Sequence, residues 1–226
     1  SFAFGPVTKD HTDQTTFGLS YSLAWRGLGA FTAGLQRTHY IKRVEQPGLP
    51  VARGTSTATL PSLSATVPVS DKLAFYGSWV RGLEDAGAAP GYAANANQIL
   101  PAIRTRQTDL GLRWAPVKGT TLILGWFRIA KPYIDIDQAN RFGVLGSETH
   151  EGVEVSLTSK ITPLLRVVTG GVWQNPRVEA SPTIAQPVGR WPVGQNKLRT
   201  RFNIEWTLPF ARALTLDSYL NYESSA

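Results

Sequence analysis

The proline- and glycine-rich segments of this sequence carry the side chains best suited to binding chemistry. Tyr92, Tyr133 and Trp191 offer flat rings that can stack on a planar ligand, and Arg104 and Arg190 offer guanidinium groups that can bind an anion. Such groups bind and release a ligand without breaking a covalent bond. The same residue types also serve as loop anchors or as solvated charges. The pattern therefore favours a binding surface over a catalytic centre.

Catalytic and metal-binding groups are absent or badly spaced. His11, His39 and His150 are scattered and have no carboxylates at the spacing of metal ligands, and no serine motif supports a hydrolase built on His39. Asp135 and Asp137 alternate along a connection, where they either bind calcium weakly or solvate the loop. The chain has no cysteine, which excludes disulfides, thiolate zinc sites and a cysteine nucleophile. We expect no catalytic residue, no resident metal and no cofactor.

The formal charge of +7 is spread along the chain and forms no compact basic run. The sequence also lacks a glycine-rich phosphate loop and any nucleic-acid-binding motif. We therefore expect no nucleic-acid partner. We see no signal-peptide pattern in residues 1–226, and no apolar run approaches the ~20 residues of a membrane helix. Strands of a membrane barrel remain compatible with this pattern, because they need only about 9–11 alternating residues.

The elements that position these side chains are strands. From 73 to 114 the chain alternates apolar and polar residues, enters a long loop, and alternates again, with Leu110 and Leu112 on one face and Asp109 and Arg113 on the other. The rest of the chain repeats this unit. The predicted strands cover residues 15–25, 28–43, 56–69, 73–83, 104–115, 120–134, 148–159, 164–175, 198–208 and 214–223.

Connection length and aromatic placement predict an antiparallel, up-and-down meander. Short turns alternate with long connections at 44–55, 84–103, 135–147 and 176–197, as in outer-membrane barrels. Aromatic residues gather beside the short turns, as at a membrane interface; they are Trp25, Phe75, Trp114 and Phe210. The alternative is a soluble sandwich whose apolar faces pack together. The polar face of the ninth strand, with Arg199, Arg201 and Glu205, favours a water-filled lumen.

Several segments resemble the C-terminal part of TonB-dependent outer-membrane receptors of the ferric-siderophore class. They lie at 76–84, 100–101, 104–111, 127–132, 146, 150–157, 188–189 and 208–209. The resemblance implies a barrel of 22 strands around an N-terminal plug. It also identifies residues 1–226 as a partial barrel domain, without plug or last strands. An intact small barrel is the alternative.

The resemblance further implies a function in the cell outer membrane. A ferric siderophore or similar chelate would bind at the outer mouth and pass through the lumen when energy delivered through TonB displaces the plug. The loop aromatics and arginines named above, together with Arg53, would contact that chelate or lipopolysaccharide phosphates. Wall residues would contact the plug; they are Asp109, Glu154, Arg199 and Arg201. Membrane lipid, lipopolysaccharide, the plug and TonB are thus the expected partners. The rival functions are a passive porin and a soluble β-sheet binding module.

Overall fold

The computed structural model describes residues 7–181, 192 and 194–225, which form one antiparallel sheet of ten strands. In chain order the strands are β1 (Lys9–Trp25), β2 (Gly29–Glu45), β3 (Ala52–Ser70), β4 (Leu73–Glu84), β5 (Ile103–Trp114), β6 (Thr120–Ile136), β7 (Phe142–Thr162), β8 (Leu165–Ala180), β9 (Leu198–Thr207) and β10 (Thr215–Glu223). Each strand pairs with its neighbours in sequence, and β1 and β10 are the edges. The predicted all-β, up-and-down meander of about ten long strands is confirmed.

Connections alternate between the two ends of this sheet, because consecutive strands are antiparallel. The predicted contrast in length is only partly observed, since the connection 137–141 is no longer than the turns 115–119 and 208–214 at the opposite end. The turns that join β1 to β2, β3 to β4, β5 to β6, β7 to β8 and β9 to β10 lie at one end, which we call the turn end. The other end, here the loop end, carries the connections 46–51, 85–102 and 137–141, and β8 ends and β9 begins there. No helix among the described residues has the length and hydropathy of a transmembrane helix.

Several strands extend further toward the loop end than the sequence predicts. β3 begins at Ala52 rather than 56, β7 begins at Phe142 rather than 148, and β8 continues to Ala180 rather than 175. These extensions lack a regular alternation of apolar and polar residues. Their backbones remain paired all the same, as in Gly146 with Ala180. Backbone pairing, which needs no particular side chain, therefore continues beyond the alternating pattern.

One face of the sheet is an exposed apolar surface, which we call the apolar face. Cross-strand register aligns its side chains in rows, one of which comprises Gly77, Leu110, Trp126, Val153, Trp173 and Leu198. Phe17 and Leu19 on this face are 76% and 80% exposed. Within the described residues no second layer covers it, since all ten strands belong to one sheet. The soluble sandwich, which requires two packed sheets, is therefore not what these residues form.

The opposite face, here the polar face, carries polar side chains and glycines. Tyr76, Gly111, Gly125 and Glu154 follow one another in a single cross-strand row. The Tyr76 ring lies over both glycines: a Cβ at Gly111 would be 2.5 Å from its Cζ, and one at Gly125 would be 3.0 Å from its hydroxyl oxygen. The two glycines thus leave space for a ring that covers the sheet backbone.

Candidate ligand-binding mouth and polar wall

The long connection 85–102 packs against the polar face of β2 and β3. Its Ala86, Ala89 and Ala93 are buried, as are Thr38 and Ala58 on the strands. Ile99 contacts the face at Gly54, where an added Cβ would lie 2.5 Å from the Ile99 Cγ2. The connection therefore folds back over the sheet and partly covers the loop end of the polar face. We call this region the mouth.

A buried lysine joins this connection to two strands. The Lys42 side chain is only 4% exposed, and its Nζ lies 2.9 Å from the Asp10 Oδ2 and also contacts the Asp85 Oδ2. The Asp85 Oδ1 accepts a hydrogen bond from the Gly87 backbone N–H at 2.9 Å. Burial disfavours the charged carboxylate, but the Lys42 ammonium and the Gly87 amide outweigh it and hold the pKa of Asp85 below its usual value.

Asparagine side chains tie the same connection to neighbouring turns. Asn95 binds the backbone of Phe142 twice: its Nδ2 donates to the carbonyl at 2.9 Å and its Oδ1 accepts from the N–H at 2.8 Å. The Asn140 Nδ2 donates to the Tyr92 carbonyl at 2.7 Å, and the Asn97 Nδ2 donates to the Pro50 carbonyl. The connection is thus fixed on both sides, to turn 137–141 and to turn 46–51.

The structure brings some of the expected ligand-binding residues to the mouth. The backbone of Tyr92 is held by Asn140, while the residue itself remains 74% exposed. Tyr133 lies at the loop end of β6 on the polar face, and its hydroxyl donates to the Asp135 Oδ2 at 2.7 Å. Tyr92 and Tyr133 therefore both flank the mouth, close to the turn that follows β6.

Other expected residues lie elsewhere. Arg104 was expected in an outer loop, but it is part of β5 and shares the face of Leu110, so it points away from the mouth. Arg53 likewise belongs to β3, on the side of the sheet that carries the apolar residues. Arg104 begins the predicted fifth strand, and alternation along that strand sets its face. Arg53 is in β3 because pairing continues beyond the predicted start of that strand at 56. Arg190 and Trp191 lie outside the described residues.

The four expected wall residues share the polar face. Asp109 accepts hydrogen bonds from the Ser78 hydroxyl at 2.7 Å and from the Gln107 Nε2 at 2.9 Å. Glu154 lies in the row of Tyr76, and Arg199 and Arg201 lie on β9, further along the same face. The Arg199 Nε is 3.8 Å from the Glu223 Oε1. These side chains form a polar wall below the mouth.

The histidine and the aspartate nearest the mouth each have a partner within the chain. His150 bonds Glu148 at 2.6 Å on the polar face. Asp137 caps its own turn, since its Oδ1 accepts from the backbone N–H groups of Ala139 and Arg141. The described part of the chain contains no group of three or more His, Cys, Asp or Glu residues placed to hold a metal. The side chains of the mouth and the wall offer aromatic rings, hydrogen-bonding groups and charges.

Comparison with known proteins gives a family and a fold. A family model described as TonB dependent receptor-like, beta-barrel, matches residues 2–225. The ferric preacinetobactin receptor from Acinetobacter baumannii superposes with a TM-score of 0.74 at 22% identity, covering 96% of this chain and 33% of that one. The alcaligin outer membrane receptor from Bordetella pertussis gives 0.74 at 15% identity, covering 96% and 38%.

A third solved structure, the ferric yersiniabactin uptake receptor from Yersinia pestis, gives a TM-score of 0.67 at 16% identity and covers 95% of this chain and 34% of that one. A comparison with curated proteins gives no match. The chain thus spans about a third of the length of the structures that it resembles.

Proposed function

The chain belongs to the TonB-dependent receptor-like β-barrel family of the Gram-negative outer membrane, and we propose that it takes part in uptake of a ferric siderophore or a similar metal chelate. Its ten strands correspond to part of the 22-stranded barrels of its structural neighbours. In outer-membrane barrels the short turns are periplasmic and the long loops lie outside. The mouth is accordingly at the outer surface, the polar face lines the lumen, and the apolar face contacts lipid.

The single observation that carries this proposal is the connection 85–102, which is fixed to the lumen wall and leaves Tyr92 exposed at the mouth. A rigidly held loop with an exposed ring provides a preorganised stacking surface for a planar chelate. The neighbours named above are receptors for ferric preacinetobactin, for alcaligin and for ferric yersiniabactin, and this supports the same class of cargo here.

We infer that transport depends on TonB and on a plug domain elsewhere in the full-length chain. The polar wall supports this, since Asp109, Glu154, Arg199 and Arg201 offer charged and hydrogen-bonding groups to a polar domain inside the barrel. The chelate crosses the barrel unchanged, so we propose neither a catalytic step nor a resident cofactor.

Uptake of radioactive iron tests the proposal in cells that depend on the full-length receptor. Candidate ferric siderophores are offered to cells with and without TonB, and iron uptake is measured. We expect uptake of at least one chelate to require TonB. Tyr92→Ala should weaken its binding by about three- to tenfold, equivalent to roughly 0.5–1.5 kcal/mol for a lost aromatic contact. Tyr92→Phe, which keeps the ring, should bind normally.

A passive channel is the second candidate, because the inward-folded connection 85–102 is also the feature that a porin needs as its constriction. The same experiment separates the two candidates. Solute entry that is unchanged when TonB is deleted, and that does not saturate with concentration, would replace receptor-mediated uptake by passive conduction.

A further inference from the structure

Backbone pairing between β3 and β4 stops before either strand ends. Within the described residues the last pair toward the loop end is Ser62 with Val80, and residues 52–61 of β3 and 81–84 of β4 lie beyond it. The next residue of β3 is Pro61, which has no backbone N–H to donate. The sheet therefore has a gap between β3 and β4 at the loop end.

A similar gap separates β5 from β6. In the described part of the chain, their last pair toward the loop end is Arg106 with Ala130, and residues 103–105 of β5 pair only with β4. The ends of β4 and β5, residues 81–84 and 103–105, thus form a two-stranded stem that is paired with neither β3 nor β6. This stem carries the connection 85–102.

A cavity of about 580 Å³ lies beside this stem, and we call it the cleft. Thr55 and Thr57 line it from the apolar-face side of β3, and Ser56 and Ala58 line it from the polar-face side. Because residues of both faces of one strand line the cleft, it occupies the gap in the sheet itself. Its other lining residues are mainly aliphatic, and they include Leu83, Pro101, Ile103, Pro132 and Val144.

The inner side of the cleft is formed by the connection that covers the mouth. Pro101 and Ala102 line the cleft and belong to the connection 85–102. The Ala102 backbone N–H donates to the Ser56 Oγ at 3.0 Å, which fixes this segment to β3. The same connection carries the exposed Tyr92. The cleft is therefore continuous with the mouth.

The outer side of the cleft opens toward the apolar face. Leu83 alternates along β4 with Trp79, so both side chains are on this face. The two residues are four positions apart, which is about 13 Å along a strand. Tryptophan marks the membrane–water interface in such barrels. The cleft therefore lies just outside the bilayer, between the mouth and the lipid-covered surface.

We propose that the cleft holds the fatty acyl chain of an amphiphilic metal chelate whose polar, metal-binding part lies at the mouth. The inference rests on the proposed function and adds an acyl chain to its class of cargo. Aliphatic lining favours an alkyl chain, because contact removes apolar area of both from water. The volume is within the range of about 300–1,000 Å³ that is usual for small-ligand sites. Arg104, which also lines the cleft, is exposed, so its charge stays in water.

Binding of one chelate with and without an acyl chain tests this site. The probes are the ferric chelate that the uptake assay identifies as cargo and the same chelate with a dodecanoyl chain attached away from its metal-binding groups. Dissociation constants are measured with radioactive iron for the full-length receptor in nanodiscs, and binding to empty nanodiscs is subtracted. We expect the dodecanoyl form to bind about tenfold more tightly or better, since roughly two buried CH₂ groups suffice for that factor.

Thr55→Trp, which places a large ring at the cleft, should remove most of this ratio of affinities. Thr59→Trp is the matched control and should keep it, because Thr59 is an exposed threonine of the same strand and face that lies outside the cleft lining. Heat-dependent mobility on gels checks that each variant is folded. Leu83→Asn, which puts a polar group in the cleft, replaces Thr55→Trp if that variant does not fold.

The outcomes separate this inference from the proposed function. Equal affinity of the two forms for the wild type overturns the inference and leaves the proposed function intact. An unchanged ratio in a folded cleft variant also overturns it, because the bilayer rather than the cleft would then hold the acyl chain. If no chelate requires TonB for uptake, or if neither form binds, the proposed function fails and the inference fails with it.

Discussion

Lys42 joins the connection 85–102 to the sheet through two carboxylates that are distant in sequence. Its side chain is nearly fully buried. The Lys42 ammonium keeps its charge there because the carboxylates of Asp10 and Asp85 both contact it. Asp85 is itself 40% exposed, and solvent weakens its share of the interaction. We estimate that loss of the Asp85 carboxylate lowers the free energy of loop opening by roughly 1 kcal/mol.

The depressed pKa of Asp85 predicts how the loop responds to acid. The carboxylate contributes fully above its ordinary pKa of 3.8, and the contribution is lost as pH falls through the lower pKa of the folded state. A spin label at Gly91→Cys should therefore keep the same mobility from pH 7 to 5 and become more mobile only below pH 3.8. The measurement is electron paramagnetic resonance of the full-length receptor.

Two substitutions check that this transition belongs to Asp85. Asp85→Asn should already give a more mobile label at neutral pH and remove most of the acid transition, with Asp10 as the remaining partner. Asp71→Asn, in the exposed turn after β3, should leave the transition unchanged. A transition centred above pH 5, or one that persists in Asp85→Asn, would contradict the assignment.

Residue types and alternation predicted some of these positions but not the contacts among them. Asp109 and Glu154 were placed on the polar face because strand residues alternate, and the register confirms that placement. The binding roles of these and the loop residues stay predictions. Lys42 was missed because its partners come from β1 and from a loop after β4, and only the three-dimensional register brings them together.

The loop 85–102 acts as one element because it has its own packing on the wall. Ile99 occupies the space above Gly54 that a side chain would fill, and Asn95 fixes the other side of the loop to Phe142. Glycine at this strand position thus permits close approach of the loop to the barrel. Two contacts therefore hold the loop over the mouth: the packing of Ile99 at Gly54 and the ion pair of Asp85 with Lys42.

Gly54→Val should displace this loop from the wall. The added Cβ would lie 2.5 Å from the Ile99 Cγ2, so the loop must move, at a cost of about 1–3 kcal/mol for overpacking. The label at Gly91→Cys should become more mobile, and adding Ile99→Ala should partly reverse the effect. Gly143→Val is the control, since a Cβ there meets nothing within 4 Å. Equal label mobility in Gly54→Val and wild type would contradict the packing argument.

Strand existence and turn positions could be predicted, whereas strand ends at the outer surface could not. Where one side of a strand belongs to the apolar face, alternation is strong, and β4 ends at Glu84, next to the expected 83. Nearer the loop end, the 142–147 segment of β7 loses that pattern although its backbone is paired. The 85–102 fold depends on asparagine contacts between separate turns, for which one sequence offers no local signal.

Two features of the whole sheet are unfavourable in water. Its apolar face exposes large side chains such as Phe17, Leu19 and Leu110, and β1 and β10 present free edges. Exposed apolar surface and unpaired strand edges both promote aggregation. Within a complete barrel, lipid would cover the face and further strands would pair with the edges.

We therefore expect the 226-residue chain on its own to aggregate in aqueous buffer and to need detergent for dispersal. Analytical ultracentrifugation with and without detergent measures this, and circular dichroism in detergent serves as the control for retained β-structure. A monodisperse, folded monomer in buffer alone would show that the apolar face is covered in some other way.

The neighbour-to-neighbour pairing of the strands also has a consequence for how the chain acquires its structure. Every strand pairs only with its neighbours in sequence, so no pairing joins strands that are distant in the chain order. Closing a pair across a short connection costs less chain entropy than closing one across a long segment. The sheet can therefore grow by successive hairpins, each built on the edge left by the last. A substitution that destabilises one hairpin then slows the pairing of the strands that follow it. The strands that have already paired remain paired.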